Sequence, residues 1–264
     1  MDTLEYKIYN WSLITPNKIA LIDKKKSFSY KELFQNIWFT KQKLELDYNI
    51  FKGDKVILAA NKNVSFVFIY YALHLIGAEV LPIDEQISHD RLKFILNKIS
   101  IKLIIGLENQ INNIKVIGFD CFIDLKKSII PLEISFPDLD DNADILFTTG
   151  TTAEPKGVIL SHRNIAQSAI NINSFIGNNY NDTELLAMPI SHSFGLGRLK
   201  CVLSAGGTLV LLGSFVNMKR MFRIFDENKI TGFGMVPASW SYIKKMSGNK
   251  LAEYSNQLNY IEFG

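Results

Sequence analysis

The sequence predicts an α/β fold made of two Rossmann-like parallel-sheet subdomains with helical crossovers. Short apolar runs alternate with longer segments in which apolar residues recur at helical spacing, and this alternation is clearest in the second half of the chain. Strands that alternate with helices of this length pair in parallel, because a crossover helix returns the chain to the same edge of the sheet. The 264 residues suffice for one large domain or two small ones.

The first half carries explicit helix-start signals. Ser29 and Glu32 form the sequence pattern of a capping box, which predicts a helix directly after Ser29. Residues 64–78 are nearly uncharged but shorter than the ~20 residues that a membrane-spanning helix needs, so we expect a buried helix there. Ser88 can cap a further helix at residues 89–99. Strands are predicted at residues 18–23, 27–30, 55–60, 79–83, 102–105 and 115–118.

The second half repeats strand, loop and helix in a regular order. Strands are predicted at residues 144–147, 185–188, 208–212, 232–236 and 258–263. Helices are predicted at residues 161–176, 194–204, 218–228 and 239–246.

A stretch rich in Pro, Asp and Asn at residues 131–143 separates the two halves. Such residues favour turns and loops. We therefore predict a first α/β subdomain at residues 1–138 and a second at 139–264. The last predicted strand is followed only by Gly264, whereas a buried parallel strand normally continues into a crossover. This ending predicts that the chain is a piece of a longer protein.

Composition excludes several classes of protein. With 47% hydrophobic and 21% charged residues, disorder and coiled coils are disfavoured. Cys121 and Cys201 cannot build a disulfide framework, and no Cys/His group has zinc-ligand spacing. The N-terminus lacks the basic-then-apolar pattern of a secretion signal. The net charge of +3 gives no case for nucleic acid. Together these features predict a cytoplasmic protein without a membrane span that meets small anionic molecules.

Residues 148–157, TTGTTAEPKG, have the composition of a phosphate cradle after a short apolar strand. Gly150 and Gly157 permit close approach of the backbone, whose N–H groups can converge on an anion. The four threonines offer hydroxyl donors, and Lys156 adds a positive charge beside the rigid Pro155. The order of residues matches neither the Walker A pattern nor the dinucleotide fingerprint. The alternative is a surface loop with a solvated lysine.

These ten residues resemble the signature loop of the adenylate-forming superfamily, which includes acyl-CoA synthetases, luciferases and the adenylation domains of peptide synthetases. Ala153 departs from that pattern, because the family usually has glycine there, and alanine would strain a position that needs a positive φ. Seven fixed positions match, namely Thr148, Gly150, Thr151, Thr152, Pro155, Lys156 and Gly157. Weaker resemblances to family elements lie at residues 28–33, 75–84, 188–195 and 236–237.

The resemblance implies an incomplete large N-terminal domain of an ATP-dependent ligase. Such an enzyme converts a carboxylic acid into an acyl-adenylate with ATP and Mg²⁺, then forms a thioester with coenzyme A or with phosphopantetheine on an acyl carrier protein. An AMP-forming acyl-CoA synthetase is the leading hypothesis, and a carrier-protein ligase or peptide-synthetase-type domain is the alternative. The family's adenine, ribose and C-terminal lysine motifs do not occur in these residues, so we expect the piece alone to be inactive. Two further alternatives are a non-catalytic nucleotide-binding remnant and a parallel-sheet domain whose Thr-rich loop is accidental.

Site residues follow from the same resemblance. The phosphate-binding set is Thr148, Thr149, Gly150, Thr151, Thr152, Lys156 and Gly157, with Thr152 also a ligand of Mg²⁺. Lys156 and His192 are the predicted catalytic residues. The predicted acid-binding residues are His192, Phe194, Gly195, Met235 and Pro237. For His192 the alternative is a loop histidine satisfied by backbone groups, and for Phe194, Met235 and Pro237 it is ordinary core packing.

Other polar residues of the same region are given structural interpretations. Arg198 follows His192 on the predicted helix, and its default interpretation is a solvated side chain. The alternative is a contact with an acidic tail of the substrate or with the thiol carrier. His74 is expected inside a buried helix. His89 and His162 are expected at helix starts.

Overall fold

A computed structural model describes residues 1–108, 111, 113–123, 125, 129–147 and 156–264. The strands are β1 Ile19–Asp23, β2 Lys26–Ser29, β3 Lys55–Ala59, β4 Glu79–Ile83, β5 Leu103–Ile105, β6 Lys115–Ile117, β7 Asn142–Phe147, β8 Gly157–Ser161, β9 Thr183–Leu186, β10 Thr208–Leu211, β11 Gly232–Met235 and β12 Tyr260–Phe263. The α-helices are α1 Leu4–Ile14, α2 Tyr30–Tyr48, α3 Val64–Ile76, α4 His89–Lys98, α5 His162–Ile176, α6 Ser193–Ser204, α7 Met218–Asn228 and α8 Pro237–Ser247. Short 3₁₀ helices lie at Phe119–Phe122 and Lys250–Tyr254.

The strands form two six-stranded sheets. Sheet A has the order β12-β11-β9-β10-β1-β2, and sheet B has the order β6-β5-β3-β4-β7-β8. Within each sheet five strands run parallel, and an antiparallel strand closes one edge, β2 in sheet A and β8 in sheet B. The predicted α/β class with two parallel sheets and helical crossovers is therefore confirmed.

The sheets do not divide at the predicted boundary between residues 138 and 139. Strands β1 and β2 precede that boundary but join sheet A, where Leu21 pairs with Leu209. Strands β7 and β8 follow it but join sheet B, where Val80 pairs with Asp144. The predicted division between residues 138 and 139 is therefore not the division between the two sheets, because each sheet takes strands from both sides of it. A stretch rich in turn-forming residues indicates where the chain is exposed. It does not indicate which strands pair across long distances in the sequence.

Helix α1 and strand β8 were not predicted from the sequence. Helix α1 buries Leu4 and Ile8, but aromatic and polar residues interrupt its apolar stripe, so its periodicity is weak. Strand β8 lies at an edge, and its Val158 and Ile159 are about half exposed, so the short run gave no clear alternation.

The helix-start signals are confirmed. Ser29 and Glu32 form both bonds of a capping box at the start of α2, and Ser88 caps α4. Helix α3 is buried almost throughout. Within the described parts of the chain, no helix combines the length and the apolar character needed to cross a membrane.

A buried ionic cluster joins the two halves of the molecule. His74 on α3 lies between two carboxylates, with Nδ1 2.9 Å from Glu5 on α1 and Nε2 3.1 Å from Asp144 on β7. Lys200 on α6 donates to Asp144 at 2.6 Å. His162 begins α5, as expected, but its side chain is fully buried, 3.3 Å from Glu5. The cluster thus ties helices from both sheets to the strand that precedes the predicted phosphate loop.

Candidate functional site

The base of the predicted phosphate loop is an antiparallel hairpin. Phe147, the last residue of β7, pairs with Gly157, the first residue of β8. Residues 148–155 between them lie outside the described part of the structure, so the roles of Thr148, Thr149, Gly150, Thr151 and Thr152 stay predictions. Lys156 is exposed next to the hairpin base. The pairing holds the two ends of the loop together at the carboxyl end of β7.

A largely apolar cleft of about 640 Å³ lies beside the carboxyl ends of the sheet A strands β9 and β11. Because ligands of parallel sheets bind beyond the carboxyl ends of the strands, this is the expected location for a substrate. Its described lining consists of Lys62, Ala187, Met188, Pro189, His192, Phe194, Gly195, Ser214, Phe215, Val216, Val236, Ala238, Ser239, Tyr242 and Gly264. We call it the acid cleft, because the sequence analysis predicts that the carboxylic acid binds there.

A second cleft of about 350 Å³ lies at the carboxyl ends of β4 and β7 in sheet B. Its wall includes Phe147, from which the predicted phosphate loop departs, and polar side chains such as Ser88 and Arg91. His192 lines both this cleft and the acid cleft. The two clefts therefore meet at the histidine that the sequence predicts to be catalytic.

The His192 side chain does not cap the helix that it precedes. His192 is the N-cap residue of α6, yet its side chain accepts no capping hydrogen bond and is exposed. An imidazole in this position is available to a ligand in either cleft.

Phe194 and Gly195 lie where the sequence analysis expects them, in the wall of the acid cleft. The Phe194 ring packs closely over Gly234 of β11. A Cβ atom at position 234 would lie only 3.0 Å from Cζ of this ring. A Cβ atom at position 195 would collide with the carbonyl group of Pro189. Glycine at 195 therefore allows α6 to begin directly against the 189–192 turn.

Substituting Gly195 with alanine is expected to displace the start of α6 from that turn. The obstacle is backbone and cannot rotate away, so we expect a loss of about 1–3 kcal/mol in the free energy of unfolding, as for overpacked sites. Urea denaturation measures this loss, and Gly197→Ala is the matched control, since open space surrounds position 197. Equal stability of the two variants would contradict the assigned close contact.

Met235 and Pro237 are not among the described lining of the acid cleft. Met235 is fully buried in the core under sheet A, and Pro237 is the first residue of α8. Their neighbours Val236 and Ala238 line the cleft instead. Lys62 was not predicted as a lining residue, because it arrives from the β3–α3 loop of the other sheet, and nothing local in the sequence indicates that approach.

Arg198 is not solvated, which corrects the default interpretation of this residue. Its side chain is buried, with Nε 2.9 Å from Glu184 and Nη1 3.0 Å from Glu262. Burial lowers the pKa of the guanidinium, but the hydrogen bond and charge of Glu184 more than offset this effect and raise it. Arg198 thus ties α6 to β9 and β12 beneath the acid cleft.

Comparison with known proteins gives one family over nearly the whole chain. Residues 10–262 match the family described as AMP-binding enzyme. The chain is 28% identical over 243 residues to a 2-succinylbenzoate–CoA ligase of Geobacillus sp. (strain WCH70), covering 89% of this chain and 49% of that ligase. It is 29% identical over 212 residues to the long-chain-fatty-acid–CoA ligase FadD13 of Mycobacterium tuberculosis, covering 75% of this chain and 42% of FadD13. The chain spans about half the length of these curated relatives.

Solved structures share the fold. An O-succinylbenzoate coenzyme A synthetase (MenE) from Bacillus subtilis, in complex with AMP, aligns with a TM-score of 0.86 at 21% identity, covering 98% of this chain and 67% of that one. The N-terminal domain of FACL13 from Mycobacterium tuberculosis aligns with a TM-score of 0.86 at 21% identity, covering all of this chain and 70% of that one.

Proposed function

This chain belongs to the AMP-binding enzyme family, and we propose that it carries part of the active site of an AMP-forming acid–thiol ligase. The ligase would convert a carboxylic acid into an acyl-adenylate with ATP and then into a thioester with coenzyme A. The observation that carries the proposal is the hairpin base formed by Phe147 and Gly157, because Phe147 lines one of the two clefts that share His192 and the predicted phosphate loop starts from it. Coenzyme A is the chosen thiol because the curated relatives named above are CoA ligases.

In the first step, a carboxylate oxygen of the acid attacks the α-phosphorus of ATP, and pyrophosphate leaves. Attack brings negative groups together, so the protein must hold the phosphates with positive charge and oriented donors. We assign this task to Lys156 and to the hydroxyls and N–H groups of residues 148–155. Mg²⁺ would share the phosphate charge, and the Thr152 hydroxyl, a hard oxygen ligand, is suited to hold it.

In the second step, the thiol sulfur attacks the acyl carbon, and AMP leaves with the oxygen that joined it to the acyl group. We assign the apolar body of the acid to the acid cleft, with its carboxylate near His192. The imidazole would orient that carboxylate between the two clefts and so position it for attack.

A panel of carboxylic acids tests this function on the native-length protein. We expect at least one acid to stimulate release of pyrophosphate and AMP from ATP, measured by coupled pyrophosphate release and by hydroxamate capture of the adenylate. Release of ADP and phosphate instead would contradict the proposed reaction. The absence of any acid-dependent turnover across aliphatic and aromatic acids would contradict the ligase assignment.

A further inference from the structure

Lys62 occupies a distinctive place in the acid cleft. It is the only lysine, arginine, aspartate or glutamate among the described residues that line this largely apolar cleft. An ammonium group at an apolar wall is poorly hydrated. Burial accordingly lowers the pKa of Lys62, and the negative charges of Glu85 and Asp84 partly offset this effect. An anion in the cleft would be attracted to this ammonium more strongly than in water, because the effective dielectric constant is lower there.

The position of Lys62 is fixed from both sides. The following residue, Asn63, caps α3 by accepting a hydrogen bond from the Phe66 N–H at 2.9 Å. The Lys62 ammonium donates to the carbonyl of Ala187 at 2.9 Å, across the gap between the two sheets. One of its three N–H donors is used in this bond, which leaves donors for a ligand in the cleft.

The strand order of sheet B provides a scale for the distance to the reacting groups. Lys62 follows β3, and the phosphate loop follows β7, with β4 between these two parallel strands. Two strand spacings of ~4.8 Å place the carboxyl ends of β3 and β7 ~10 Å apart along the same edge. In the proposed reaction the carboxylate that reacts lies beside His192, which lines the second cleft together with Phe147 at the end of β7. Lys62 lines the acid cleft but is not among the described residues of the second cleft, so it is suited to a different group, at the far end of the acid.

We propose, building on the proposed ligase function, that Lys62 selects dicarboxylic acids by binding the carboxylate that does not react. One carboxylate would face His192 where the two clefts meet, the apolar body would fill the acid cleft, and the second carboxylate would accept charge-assisted hydrogen bonds from the Lys62 ammonium. The carboxyl carbons of extended octanedioate lie ~9 Å apart, since each C–C bond of ~1.5 Å advances a staggered chain by ~1.3 Å. This span matches the strand scale.

Octanedioate and octanoate form a matched pair of probes, because they differ only in the distal group. In ATP–pyrophosphate exchange with the native-length protein, wild type should prefer octanedioate by kcat/KM. Lys62→Met, which keeps the length of the side chain and removes its charge, should lower the octanedioate-to-octanoate ratio at least tenfold. Lys62→Arg should restore much of that ratio. Lys245→Met, at an exposed lysine of α8, is the control for net charge and should keep the wild-type ratio.

Two results of the exchange assay would overturn the proposal. One is a wild-type ratio at or below one, and the other is an equal fall in the use of both acids by Lys62→Met, which would indicate a purely structural role. Calorimetric titration of the same acids separates this proposal from the ligase assignment, because binding needs no catalysis. Octanedioate should bind wild type at least tenfold more tightly than Lys62→Met, and equal affinity would overturn the role of Lys62. A binding preference without any exchange would contradict the ligase assignment alone.

Discussion

Replacing Asp144 with asparagine is expected to lower the free energy of unfolding by about 3–5 kcal/mol at pH 7. Asp144 is fully buried and accepts hydrogen bonds from Lys200 at 2.6 Å and from Tyr70 at 2.9 Å. It also lies 3.1 Å from Nε2 of His74. Asparagine keeps the shape of the side chain but removes its negative charge, so Lys200 and His74 lose their shared anion in a buried site. Removing one partner of a buried pair leaves an uncompensated buried charge, which explains the expected size.

Urea denaturation of wild type and variant measures this loss. Asp140→Asn is the matched control, because Asp140 forms an exposed ion pair with Arg163, and solvent screens such pairs. The control is expected to keep the wild-type midpoint. If Asp144→Asn also kept that midpoint, the buried cluster would not stabilise the junction between the halves of the molecule.

The same cluster predicts how stability depends on pH. Burial lowers the pKa of His74, but hydrogen bonds to Asp144 and Glu5 outweigh burial and raise it from 6.5 to about 9. For Asp144, burial raises the pKa, but the charge of Lys200 and the hydrogen bond from His74 outweigh burial and hold it below its usual range. For Glu5, burial also raises the pKa, and hydrogen bonds with His162 and His74 lower it.

The directions of these pKa shifts define the pH range in which the cluster stabilises the folded state. His74 binds its proton more tightly in the folded state, so its contribution is complete below pH 6.5 and is lost as the pH rises through about 9. The two carboxylates bind protons less tightly when folded, so their contribution is complete above their ordinary pKa values near 4 and is lost at lower pH. Wild-type stability should therefore fall between pH 7 and 9. Asp144→Asn should show a weaker fall, and an equal slope in both proteins would contradict the assigned protonation of His74.

Replacing Lys156 with alanine is expected to lower acid-dependent ATP–pyrophosphate exchange by at least about tenfold, near 1.4 kcal/mol in the barrier. Lys156 is exposed beside the hairpin base formed by Phe147 and Gly157, so its charge is available to a ligand held by the loop. The ammonium would neutralise phosphate charge that increases as the α-phosphorus is attacked. Thr152→Ala should have a comparable effect on exchange.

Exchange on the native-length protein is the measurement for both variants. Lys25→Ala, at an exposed lysine between β1 and β2, is the control for loss of one positive charge and should leave exchange unchanged. Unfolding midpoints of Lys156→Ala and Lys25→Ala should match wild type, because both side chains are exposed. Exchange at the wild-type rate in Lys156→Ala and Thr152→Ala would remove the loop from the reaction.

Local signals in the sequence sufficed for much of the fold. The capping residues Ser29 and Ser88 were predicted at helix starts, and each accepts the expected backbone hydrogen bond. These interactions lie within four residues of chain, so they are visible in the sequence itself. The buried character of α3 followed in the same way from its composition.

Features that depend on distant partners were not predictable. The assignment of β1 to sheet A depends on pairing with β10, nearly two hundred residues later. Arg198 is buried because Glu184 and Glu262 arrive from two other strands, and a lone arginine on a helix gives no sign of that. Lys62 reaches the acid cleft from the other sheet for a similar reason. The place of His192, Phe194 and Gly195 in the wall of a cleft was predictable because a single short motif contains them, and their roles in binding and catalysis stay predictions.

The most direct test of the ligase assignment follows an oxygen atom through the reaction. A carboxylic acid that supports turnover is labelled with oxygen-18 in its carboxylate and incubated with ATP, coenzyme A and the native-length protein. Attack of the carboxylate on the α-phosphorus predicts that the AMP released carries one labelled oxygen, detected by mass spectrometry. Unlabelled AMP, or ADP as the nucleotide product, would contradict formation of an acyl-adenylate.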